Sequence, residues 1–96
     1  MEIWIKEVLN SLNRKSAQIL FSEHAANDKN LNIEDVGNAI KTAQIGKVDE
    51  EKSTKEKERI CFKNYFAKKG KTYFIIVEYY QDFIKIITVT KKKGKY

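Results

Sequence analysis

Apolar side chains first recur with the period of a helix. Ile5, Val8, Leu9 and Leu12 fall at i, i+3, i+4 and i+7, which predicts an amphipathic helix within residues 2–14. Ala17 to Phe21 is a short apolar run, readable either as a brief strand or as a continuation of that helix. Ser22 is placed to cap a turn or two of helix through His24, Ala25 and Ala26, and Asn27-Asp28-Lys29-Asn30 then breaks the pattern. Asn32 followed by Asp35 has the form of a helix cap, with Glu34 and Asp35 where the positive end of the dipole favours acids. That helix continues through Val36, Ala39, Ile40 and Ala43, and Gly46 ends it.

Beyond Gly46 the period changes. Asp49 to Glu58 is almost wholly charged or hydroxylated and predicts a solvated connection or a hairpin tip. Three strands follow, over Glu58–Ala67, Thr72–Tyr79 and Phe83–Thr90. They are joined by turns at Lys68–Lys71, where Gly70 can take a positive φ, and at Tyr80–Asp82. The expected fold is α+β, with N-terminal helices packed on a three- to four-stranded antiparallel sheet. Residues 1–96 suit a single domain, with 1–15 as a helical extension on a core of 16–96. The middle and last strands are apolar on both faces, so the helices should cover one face while Trp4 or the chain ends cover part of the other. Lys91 to Tyr96 is expected to extend past the sheet.

Composition adds direction to this outline. The net charge of +6 divides unevenly, because residues 1–51 carry 6 basic and 9 acidic side chains while residues 52–96 carry 13 and 4. Nine of the 11 aromatic residues lie in the basic half, from Phe62 to Tyr96. Cations interleaved with rings point to a phosphate-rich partner, since cations neutralise the backbone and rings stack on unpaired bases. Lysine as a solvated surface and Phe and Tyr as sheet core are the plainer alternative. The longest apolar run, Phe74 to Val77, is far short of the roughly 20 residues of a membrane helix. Nothing near Met1 reads as a signal peptide, and a cytoplasmic location is the expectation.

Candidate chemistry is sparse. The four glycines are scattered singly, which excludes a Gly-rich phosphate loop. One His and one Cys lack metal-ligand spacing, so neither a metal nor another cofactor is expected. Cys61 lies in a predicted strand and reads as a small buried hydrophobe. His24, the only imidazole, is the natural general acid or base near neutral pH. An isolated histidine that is only a surface residue or a satisfied core residue is the simpler account.

The order Ser22-x-His24-Ala25, then Leu31-Asn-Ile-Glu-Asp-Val-x-x-Ala-Ile40, then an Arg59-bearing strand and a final Ile86-Ile-Thr-Val-Thr90 resembles the small bacterial toxin ribonucleases of the RelE/BrnT type. These belong to the wider fold group of barnase, EndoU and the colicin tRNases. The resemblance covers roughly residues 18–96. It implies a RelE-like or barnase-like fold and metal-independent RNA cleavage, in which the 2′-hydroxyl attacks the adjacent phosphate of a tRNA or mRNA. On that likeness His24 is the acid or base, Arg59 stabilises charge on the phosphate, and Thr88 binds the phosphate or orients His24. On the same likeness Lys57 and Lys63 support Arg59, and Tyr65, Tyr79 and Tyr96 either stack on a base or donate a proton. The resemblance makes Thr90, Lys91 and Lys92 candidate RNA contacts at the basic end of the last strand. The likeness also implies an acidic antitoxin or immunity protein as partner. Only Arg14 and Arg59 are arginines, fewer than RelE itself uses. A non-catalytic basic module that binds nucleic acid is the alternative function, and a small interaction or immunity protein is a third.

Overall fold

The computed structural model describes all 96 residues. In chain order the elements are α1 (Ile3–Ser11), β1 (Gln18–Phe21), α2 (Glu23–Ala26), α3 (Ile33–Ile45), β2 (Lys47–Thr54), β3 (Arg59–Phe66), β4 (Lys71–Tyr79) and β5 (Phe83–Lys93). The fold is α+β. Its sheet has five strands in the order β1-β5-β4-β3-β2, with β1 parallel to β5 and every other pair antiparallel. This corrects the expected sheet of three to four antiparallel strands.

The two additional strands are the ones whose own sequence argues least for a strand. Asp49 to Glu58, expected as a solvated connection, begins within β2. β2 is an edge strand, and only Val48 packs against the core. Its charged residues stay in water while β3 supplies the ladder partners. Between Asp49 and Thr54 the strand advances five positions against two on β3, a bulge. The Ser53 hydroxyl repairs the gap by accepting from the Cys61 amide at 3.0 Å and donating to the Asp49 carbonyl at 2.8 Å.

One face of the sheet carries the core. Ile60 and Phe62 of β3, Tyr73, Ile75 and Val77 of β4, and Ile84, Ile86 and Val89 of β5 bury against Ile5, Leu12, Ala39 and Ala43. Burying side chains of this size contributes on the order of 1.5–3 kcal/mol each. Residues 1–15 contribute Ile5 and Leu12 to the core, with Trp4 packed on the same side. Tyr96, not Trp4, lies over the opposite face.

Helix α3 is fixed to the sheet at both ends. At its start Asn32 and Asp35 form a reciprocal capping box. Asp35 also accepts the Tyr73 hydroxyl and, at 2.9 Å, the Lys91 ammonium, although only 3% of its surface is exposed. Burial alone raises its pKa. The hydrogen bonds from Tyr73, Lys91 and the Asn32 amide outweigh that and hold the carboxyl at about 2. At the other end the Arg14 guanidinium donates to the carbonyls of Ala43 (2.8 Å), Thr42 (3.2 Å) and Gly46 (2.8 Å) and lies 3.8 Å over the Phe62 ring. A cation thus satisfies carbonyls at the negative end of the helix. Burial lowers its pKa to about 10, still protonated at neutral pH. Gly46 must be glycine, because a Cβ there would lie 2.5 Å from the Thr42 carbonyl oxygen and 2.9 Å from that of Lys63.

Residues 91–96 do not project past the sheet. β5 runs to Lys93, and Gly94, at φ +98°, turns the chain back. The Gly94 amide donates to Gly70 and its carbonyl accepts the Thr72 hydroxyl, which lays Tyr96 edge-on against Phe74. No helix is long and apolar enough to cross a membrane.

Replacing Asp35 with Asn should cost roughly 3 kcal/mol in urea unfolding, because Lys91 and Tyr73 lose their charged acceptor. The Asp35 pKa is lower folded than unfolded. Its stabilisation is therefore complete above about pH 4 and lost as the pH falls towards 2, and Asp35→Asn should flatten the stability profile in that window. Arg14→Met should lower stability by about 2 kcal/mol in the same assay, through unpaired helix-end carbonyls.

Candidate nucleic-acid interface

The face of the sheet opposite the helices is ordered by strand register into rows. Lys47, Lys63, Phe74 and Thr90 form one row across β2, β3, β4 and β5. Tyr65, Thr72 and Lys92 form the row towards the β3–β4 turn. Asp49, Cys61, Ile76 and Thr88 form the next row on the other side, followed by Arg59, Glu78 and Lys85. Lys47 and Lys63 stand directly opposite each other, a like-charge pairing that is unfavourable in itself. Asp49, 4.0 Å from Lys63, offsets part of this repulsion.

Cations and rings are layered on these rows. The Lys52 ammonium, carried over the face by the β2 bulge, lies 3.7 Å from the Phe74 ring centroid. Lys92 lies 5.4 Å from Phe74 and 5.6 Å from Tyr96, and Lys95 lies 5.8 Å from Tyr65. Lys47, Lys63, Lys95, Tyr65 and Tyr96, with Asn64, Thr72 and Ile45, enclose a cavity of about 290 Å³ at this end. Its lining holds no acidic side chain. The chemistry available here is neutralisation of a polyanion and stacking on tyrosine faces.

The structure gathers Arg59, Lys63, Tyr65, Thr88, Thr90, Lys92 and Tyr96 on this face. It separates the others. Tyr79 points to the helix side, where it packs against the core and lines a groove with Trp4 and Val8. Burial raises its pKa, so the hydroxyl stays protonated. Lys91 also turns to the helix side, committed to Asp35 and, at 3.1 Å, to the Asn30 carbonyl. Lys57 sits in the β2–β3 turn, beside Glu58 and Tyr80 at the far end of the sheet.

His24, Arg59 and Thr88 do not form one cluster. Ser22 donates its amide to the Ile86 carbonyl at 2.8 Å and its hydroxyl to that of Ile87 at 3.2 Å, which docks α2 on the outer edge of β5, next to Thr88. β5 and β4 then lie between α2 and Arg59, three strand spacings or about 14 Å. Arg59 and Thr88 are two spacings apart, roughly 10 Å, in adjacent rows. Arg59 pairs with Glu78 at 3.3 Å. His24 lines an open depression with Glu23, Asn27, Asp28 and Asn30, to which neither Arg59 nor Thr88 contributes.

Sequence reading did not single out Lys47, Lys52, Phe74 or Lys95. Lys47 and Lys52 lie in a strand that the sequence hides, and Lys95 is brought over the face by the turn at Gly94. The positive φ open to glycine was the available signal for that turn.

Cys61 faces the same side but is fully buried, and burial, reinforced by Asp49, pushes its thiol up to about 11. Native protein at pH 8 should therefore react with a thiol reagent at least about tenfold more slowly than protein unfolded in urea, measured by thiol titration. Comparison with protein-family models, curated proteins and solved structures gives no match, so any reading of function rests on the residues and geometry described here.

Proposed function

We propose that this chain binds RNA through the solvent-facing side of its sheet. The observation that carries this reading is the concentration there of Lys47, Lys52, Lys63, Lys85, Lys92 and Lys95 around Tyr65, Phe74 and Tyr96. Asp49 and Glu78 are the acidic residues in the same rows, and they pair with Lys63 and Arg59. A lysine surface serving only solubility needs no tyrosines among its ammoniums and no like-charge pair held in strand register. Each phosphate that enters displaces counterions and relieves repulsion between lysines.

The second reading is a toxin-type, metal-independent endoribonuclease. One observation favours it: the Ser22 hydrogen bonds bring α2, with His24, to the β5 edge beside Thr88. An RNA strand lying along the row that ends in Thr90 would pass that edge. His24 would then act on an RNA already held by the lysines, with Arg59 acting from a separate row. An acidic antitoxin-like protein would compete for the same face in either reading.

Binding of a fluorescent single-stranded RNA, followed by anisotropy, should weaken with salt at a log–log slope of about −3, as expected for four or five phosphate contacts. The double variant Lys63→Ala/Lys92→Ala should reduce the steepness of that slope by about 1.4, the share of two phosphate contacts. No RNA retention at low salt overturns the proposal. RNA sizing in the presence of EDTA separates the two readings. Intact RNA favours binding alone, whereas cleavage that His24→Ala abolishes favours the ribonuclease.

A further inference from the structure

We propose that the cavity beside Tyr65 is a subsite for one unpaired nucleotide, so that the protein selects single-stranded over duplex RNA. This rests on the RNA-binding reading and narrows its substrate class. The cavity holds about 290 Å³, at the lower end of small-ligand pockets, and suits one nucleoside unit. Its walls divide by chemistry. Lys47, Lys63 and Lys95 supply three ammoniums, while Tyr65 and Tyr96 supply ring faces and edges.

The other depressions differ in charge. The one at His24 contains Glu23 and Asp28, and the groove beside α1 contains Glu7 and Glu58. The Tyr65 cavity collects cations with no acidic side chain in its lining. Neither Lys47 nor Lys95 has a carboxylate within ion-pair distance. The like-charge register of Lys47 and Lys63 leaves a place for an anion that bridges two strands.

Rings and ammoniums together discriminate between forms of RNA. A duplex keeps its base faces stacked inside, so it meets the lysines with phosphates alone. An unpaired nucleotide offers a phosphate to Lys47, Lys63 and Lys95 and a base face to Tyr65 in the same cavity.

The test measures anisotropy with a labelled 12-nucleotide single strand and with the blunt duplex it forms with its complement, in low salt. The expected result is binding of the single strand about tenfold tighter than the duplex. Tyr65→Ala should remove most of that preference while changing duplex affinity less than about twofold, and Tyr65→Phe, which keeps the stacking face, should retain it. Circular dichroism of each variant establishes that it is folded. Equal affinity for the two forms, or a Tyr65→Ala loss shared equally by both, overturns the subsite and leaves RNA binding in place. Failure to bind either form overturns both.

Discussion

The arrangement depends on the way helix α3 is held to the sheet by an ion at each end, Asp35 buried and Arg14 half-buried. Asp35 meets Tyr73 and Lys91 at the positive end of the helix, and Arg14 meets three carbonyls at the negative end. Each charge complements the local helix dipole as well as its partners. Both sets of bonds are directional, so they fix the position of α3 along the sheet more tightly than apolar packing alone does. With Ala39 and Ala43 pressed on β3 and β4, the helices are confined to one side of the sheet. The other side is left to carry charge.

Most of the elements that build the helix layer are visible in the sequence. The Asn32–Asp35 cap, the apolar stripe after it and the end at Gly46 all appear where the residues place them. The strands over residues 59–66, 71–79 and 83–93 follow from aromatic and β-branched runs. β2 was hidden because this edge strand packs only the half-buried Val48 against the core. The parallel pairing of β1 was hidden because four residues carry too little periodicity, and their partner is some sixty positions away.

The assignment of side chains to faces was less legible, and a bulge explains much of it. Ile86 pairs with Val77 and Thr88 with Ile76, so Ile87 is an additional residue in β5. Simple alternation would put Thr88 on the same face as Ile84 and Ile86. The extra residue reverses the parity, sending Thr88 and Thr90 to the open side and Val89 and Lys91 to the core side. Lys91 and Lys92 are neighbours of identical type, yet one is a structural counter-ion and the other belongs to the basic surface. The His24, Arg59 and Thr88 motifs likewise occur in an order that says nothing of the two strands between α2 and Arg59.

The turn at Gly94 also determines how the protein can be handled. Because it folds the final residues onto the sheet, whatever is attached after Tyr96 emerges beside Phe74 and the lysines of that side. A purification tag or dye placed there sits in the mouth of the cavity formed with Tyr65 and Lys95. A polyhistidine or acidic tag at that position adds its own charge to the surface under study. Probes are better carried on the exposed side of α1, whose buried side belongs to the opposite layer.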